Sequence, residues 1–177
     1  MFRLSSRADP AFLAEMLYEV VYWRDDGAEE RPPLDELLQR PELRRYVENW
    51  GRIGDGAIVA LDRLNEPIGA VWYRQFSAAE PGFGFVADGV PELAMAVYPE
   101  CRGQKVGSLL LGTLVSRARA DGSPSISVSI AAENPARRLF ARQGFEVVPG
   151  AGAPNPSAAR SGSTKTEEFL TMLLSLD

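Results

Sequence analysis

The segment ELAMAVYPECRGQKVGSLLLGTLV, Glu92 to Val115, constrains the fold more than any other part of the chain. Its apolar opening runs to Pro99, which has no amide to give to a sheet ladder and so closes a strand. Arg102 to Gly107 then supply two glycines and two cations in a tight turn, and Leu109, Leu110, Leu111 and Leu114 follow at the spacing of a core-facing helix. A strand that feeds directly into a helix calls for an α/β core. The first amides of such a helix lack intrahelical acceptors and lie at its positive end, where anions bind. Arg102 and Lys105 add charge-assisted donors. The turn is neither a Walker loop, which ends in Gly-Lys-Ser/Thr, nor GxGxxG. Taken by itself, it is read equally well as a phosphate cradle or as a plain strand-to-helix connection.

Composition narrows the classes further. The 177 residues suit one domain, 1–177, with a sizeable core. Hydrophobic residues at 45% and charged residues at 24% are ordinary for a globular chain and speak against disorder and membrane insertion. A net charge of -5 argues against a nucleic-acid partner, which wants a basic face, and suits a cationic small substrate. Cys101 is the single cysteine and histidine is absent, so intrachain disulfides, cysteine metal clusters within the chain and His-based triads are excluded, and no metal is expected. Acid–base chemistry falls to Glu, Asp, Tyr, the thiol, water or backbone. The opening MFRLSSRADPAF lacks the apolar core of a signal peptide, and no run reaches the ~20 apolar residues of a membrane span. The expectation is a cytoplasmic protein without a membrane partner.

Along the chain, Phe2 to Leu4 reads as a short strand, and Asp9 and Pro10 open a helix to about Trp23. LDELLQRPELRRYVENW is a helical region broken at Pro41. GAIVALDR and EPIGAVWYRQF form an antiparallel pair around Asn65 and Glu66. Trp72 and Tyr73 adjoin in one strand, so only one of them should face the core. A loop containing GFGFV leads to the strand at Glu92. After the quoted helix come the strand SISVSI, the helix PARRLFARQ, FEVV, a mobile loop from Pro149 to Ser163, and a closing strand from about Thr166 to Leu174. Strand and helix alternate only in the C-terminal half, so the fold class is a mixed α/β sheet, not a doubly wound one.

The turn resembles the acetyl-CoA motif of the GCN5-related N-acetyltransferase family, Arg/Gln-x-x-Gly-x-Gly/Ala, with Arg102, Val106 and Gly107 in register. ENPARRLFARQGFEVV is similar to that family's second conserved block, a helix ending in Gly-Phe. The resemblance implies a mostly antiparallel sheet with splayed strands, residues 1–52 as acceptor-side elements and 92–148 as the acetyl-CoA core. It implies that backbone groups of Met95, Ala96 and Val97 pair with the pantetheine arm. The diphosphate would lie on the amides of Gly103, Gln104, Lys105, Val106, Gly107 and Ser108. It also implies a homodimer paired through C-terminal strands.

The chain departs from the pattern at three places. Lys105 stands where the motif has its first glycine, so the backbone there is expected to avoid a conformation that glycine alone tolerates, with the ammonium meeting a phosphate. Phe140 stands where relatives carry a tyrosine that protonates the leaving thiolate, and a phenyl ring gives no proton. The family's asparagine position holds Glu133, with Asn134 beside it as the assigned cofactor contact. Glu92 is the candidate base, Tyr98 the candidate acid, and Cys101 a weaker substitute. Tyr22, Trp23, Asp25, Asp26, Glu29 and Glu30 form an aromatic and acidic set suited to a cationic amine. The implied activity is acetyl transfer from acetyl-CoA to a primary amine of a small molecule or peptide. The alternative is a CoA-binding regulatory module whose catalysis has lapsed.

Overall fold

A computed structural model describes residues 3–24, 31–152 and 167–177. Its elements follow the order expected from the hydrophobic pattern: β1 (Arg3–Ser5), α1 (Pro10–Val21), α2 (Leu34–Leu38), α3 (Pro41–Arg44), β2 (Gly56–Leu61), β3 (Pro67–Arg74), β4 (Glu92–Val97), α4 (Val106–Ala120), β5 (Ser125–Ala131), α5 (Arg137–Arg142), β6 (Glu146–Val147) and β7 (Phe169–Ser175). α1 starts where Asp9 accepts a hydrogen bond from the Ala11 amide at 3.1 Å and Pro10 occupies the first turn. Pro41 separates α2 from α3, since proline opens a helix readily and disrupts the interior of one.

The strands order as β1-β2-β3-β4-β5-β7-β6. β1, β2 and β3 are antiparallel, β4 and β5 parallel, and β7 is antiparallel to both β5 and β6. The closing strand is thus inserted between two strands that precede it.

The chain divides into two compact units, Met1–Tyr73 with Ala94–Leu114, and Arg74–Leu93 with Val115–Asp177. The boundary passes through β4 and α4, so both elements belong to each unit in part. In the first unit, Leu13, Met16 and Leu17 of α1, Val71 of β3, and Leu110, Leu111 and Leu114 of α4 are all buried. Each such side chain contributes about 1.5–3 kcal/mol by leaving water. Trp72 and Tyr73 are both buried, which corrects the expectation that one would face out. β3 is covered on both faces, and the Trp72 indole donates to the Tyr46 carbonyl at 3.1 Å. In the second unit, Ile126, Val128, Phe140, Phe145 and Met172 are buried.

Candidate functional site

In the first unit, the end of β4 passes through a 3₁₀ turn, Pro99–Cys101, in which the Cys101 and Arg102 amides donate to the carbonyls of Tyr98 and Pro99. Residues 102–105 are exposed, while Val106 is buried and fixes the start of α4. Gly103 has φ 75° and Lys105 φ 66°. Lys105 therefore takes the left-handed conformation at the motif's glycine position, which corrects the expectation that it would avoid it. The cost to a lysine is about 1–2 kcal/mol. The Leu109 amide donates to the Lys105 carbonyl at 3.2 Å. The amides of Val106, Gly107 and Ser108 precede it and have no intrahelical acceptor, so they project from the positive end of a helix of 15 residues.

Arg102 is engaged by acceptors of the protein itself. Its Nε donates to the Val97 carbonyl at 3.0 Å, Nη1 to the Trp23 carbonyl at 3.3 Å, and Nη2 to Glu19 Oε2 at 3.5 Å. The guanidinium ties the turn to the last residue of β4 and the end of α1, and this fork of donors is what lysine lacks. Glu19 also meets Arg31 at 3.7 Å. One turn earlier on α1, Glu15 accepts the Tyr98 hydroxyl at 2.6 Å, and the Tyr98 ring packs edge-on to Phe12. Burial first, and the Glu15 carboxylate next, push the Tyr98 phenol well above its ordinary range. That phenol stays protonated and is a poorer acid than a free tyrosine. Cys101 is pushed up too, by burial and then by Glu100, so its thiol is not activated. Glu15 and Glu19, four residues apart on α1, went unread in the sequence although their spacing places them on one helix face.

Met95 is half-buried, and Ala96 and Val97 are buried on β4. In the second unit, the β4–β5 ladder consists of Glu92↔Ser127 and Leu93↔Val128. Glu92, expected as the base, is 3% exposed, and its Oε1 accepts the Gly84 amide at 2.9 Å. A carboxylate enclosed in this way is poorly placed to take a proton from a diffusing amine. Asn134 Oδ1 accepts the Ala136 amide at 2.9 Å, so the carboxamide shapes the entry to α5. Phe140 is buried, with its ring edge-on to Phe145 at 5.3 Å between centroids. Of the aromatic and acidic acceptor set, the Tyr22 ring lies tilted against Tyr18 and Trp23 lies under Arg24, whereas Asp25, Asp26, Glu29 and Glu30 lie outside the described residues.

The sequence matches the model of the acetyltransferase (GNAT) family over residues 17–145, well over half of its length. The chain belongs to the GNAT acetyltransferase family. A mycothiol acetyltransferase from Brachybacterium faecium is 32% identical over 118 residues, covering 65% of this GNAT chain and 33% of the relative. The chain thus matches about a third of that relative's length. Among solved structures, an acetyltransferase from Acinetobacter baylyi aligns with TM-score 0.68 and 14% identity over 99% of this chain and 92% of its own. A Salmonella typhimurium acetyltransferase solved with acetyl-CoA aligns with TM-score 0.63 and 22% identity, over 100% and 95%. A phosphinothricin acetyltransferase from Sinorhizobium meliloti, also with acetyl-CoA, gives 0.64 and 22%, over 98% and 88%. These likenesses show that the mixed sheet is the GNAT fold. Among the described residues, no helix of this GNAT chain is long and apolar enough to cross a membrane, and no group of three or more His, Cys, Asp and Glu could hold a metal ion.

Proposed function

We propose that the chain binds acetyl-CoA and transfers its acetyl group to a primary amine of a small molecule or peptide by direct attack. The observation that carries this reading is the turn itself: left-handed Gly103 and Lys105 lead into α4, whose first amides are free of helical partners. A diphosphate fits that donor set, with the Lys105 ammonium as its counter-charge. Gly107, at the helix start, carries no side chain to crowd that anion. The backbone of Met95, Ala96 and Val97 takes the pantetheine arm in this reading, and the Arg102 clamp keeps the end of β4 and the turn in register.

Acetyl transfer then needs a neutral amine, whose nitrogen lone pair forms the new bond to the carbonyl carbon. The carbonyl oxygen gathers negative charge and is stabilised by a backbone amide of β4. Collapse breaks the carbon–sulfur bond, the amine nitrogen gives up one proton to water, and the thiolate leaves with the bonding pair. A thiol has an ordinary pKa of about 8.5, so its anion departs and takes a proton from solvent without a resident acid. Phe140, Tyr98 and Glu92 as placed here agree with a mechanism that relies on positioning. We assign no proton acceptor beyond water.

The same three residues favour a second reading, a CoA-binding module without turnover. Release of free thiol from acetyl-CoA, measured across a panel of primary amines, separates the two. Amine-dependent release establishes the transferase; binding of CoA with no release across the panel establishes the module. The relatives carry names as different as mycothiol acetyltransferase and phosphinothricin acetyltransferase, so the fold leaves the acceptor open. The compartment proposed is the cytoplasm, and the proposed assembly is a homodimer.

A further inference from the structure

Gly69 is a buried residue of β3 and does not take the left-handed backbone that favours glycine. What it supplies is space. The Tyr98 amide donates to the Ile68 carbonyl at 3.0 Å, and the antiparallel register set by this bond puts Val97 opposite Gly69. Opposed residues of paired strands ordinarily keep their Cβ atoms about 4.5–5.5 Å apart. A Cβ on Gly69 would instead come to 3.0 Å from the Ala96 carbonyl oxygen, 3.0 Å from Val97 Cγ2 and 3.2 Å from Val97 Cα. The main chain of β4 at Ala96 and Val97 thus leans over the place where a β3 side chain would stand.

Neither strand has slack at this contact. On its other edge β3 pairs with β2, where Gly69 meets Ala60, and Ala60 is wholly buried. The Val97 carbonyl accepts Arg102 Nε at 3.0 Å, and the same guanidinium reaches the Trp23 carbonyl and the Glu19 carboxylate. The end of β4 is therefore held from two sides, by β3 through Gly69 and by the Arg102 fork. Gly69, Ala96, Val97 and Arg102 all belong to the first unit. The β4–β5 ladder ends at Leu93↔Val128, so Met95, Ala96 and Val97 lie past its last rung.

We infer that Gly69 is a positioning residue for the cofactor: by carrying no side chain it lets the end of β4 settle onto β3, and this fixes where the backbone of Met95, Ala96 and Val97 meets the acyl-bearing arm. The functional half of the assignment rests on the transferase reading, which gives those backbone groups to the arm. A methyl group at position 69 overpacks the contact. Because β3 is pinned by β2, the relief falls on β4, whose main chain at Ala96 and Val97 moves by a few tenths of an ångström. Backbone donors act over a narrow range of distance and angle, so a shift of that size weakens the hold on the arm and the contact to the thioester oxygen together.

Gly69→Ala is tested by acetyl-CoA calorimetry, urea unfolding and hydrogen exchange. Acetyl-CoA affinity is expected to fall by about tenfold, with exchange at the Tyr98 amide rising several-fold relative to the Val59 and Val71 amides. Gly56→Ala is the matched control, since its Cβ would press on the Tyr73 ring at the far end of the β2–β3 ladder. Its unfolding midpoint should fall while acetyl-CoA affinity stays within about threefold of wild type. Val97→Ala removes the side-chain part of the clash and leaves the Ala96 carbonyl and Val97 Cα in place. In the Val97→Ala background, Gly69→Ala should therefore cost less stability than in the wild type but lower affinity by as large a factor. That background also decides the question if Gly69→Ala by itself does not fold. Wild-type affinity in Gly69→Ala, an equal loss in Gly56→Ala, or affinity that returns in step with stability in the Val97→Ala background would each overturn the proposal. Failure of the wild type to bind acetyl-CoA would defeat the transferase reading and the functional half with it. Tyr98 exchange in Gly69→Ala would then decide the strand contact, which a rise upholds and an unchanged rate overturns.

Discussion

Lys105 carries a conformational cost at the one position where the turn calls for glycine, and its retention is explained if its ammonium meets the diphosphate. Lys105→Gly is expected to change stability by less than about 1 kcal/mol, because relief of the left-handed strain offsets the larger entropy of the unfolded glycine. The same variant should bind acetyl-CoA several-fold less tightly, with a shallower dependence on salt. Equilibrium unfolding and calorimetry at two ionic strengths check both halves. Phe140 argues in the opposite direction. Its ring is 3% exposed against Phe145, so Phe140→Tyr buries a hydroxyl and should cost about 1–3 kcal/mol in urea unfolding without raising thiol release. Faster turnover with stability intact would restore this position as the acid.

At the junction of β4, α1 and α4, Arg102 binds three acceptors that lie in different directions, the carbonyls of Val97 and Trp23 and the Glu19 carboxylate. Arg102→Lys keeps the charge and loses the fork, so it should behave much as Arg102→Ala does, each weakening acetyl-CoA binding and lowering stability by about 1 kcal/mol. Full rescue by lysine in calorimetry would show that charge alone matters there. The strand, the turn and the helix were legible in the sequence because apolar periodicity, Pro99 and the glycines act locally. The direction of the Arg102 side chain was not, because two of its three acceptors, Glu19 on α1 and Trp23 just after it, lie about 80 residues away in sequence. For the same reason β7 reads as a strand from its apolar run, while its insertion between β5 and β6 depends on pairing that no local pattern encodes. Glu92, expected as the base at the start of its strand, is buried, since a local pattern does not reveal which loop will cover a strand end.

The fold as a unit of stability responds to pH through the Tyr98–Glu15 contact. The folded phenol is raised above its unfolded value of about 10, so the contact contributes fully below that pH and its contribution is lost as pH rises above it. Tyr98→Phe lacks this titration. The stability difference between wild type and variant should therefore be level from about pH 7 to pH 9 and fall above about pH 10 in urea unfolding. The larger claim, that a GNAT chain of this design grips acetyl-CoA by the main chain of Gly103 to Ser108, is tested by titrating acetyl-CoA and CoA into wild type and Gly107→Glu in a calorimeter. Saturable binding of both ligands by the wild type, abolished in a variant whose unfolding midpoint is retained, is the predicted result, since a carboxylate at the cradle repels the diphosphate. Equal affinity in the two proteins, or no heat from the folded wild type, would contradict it.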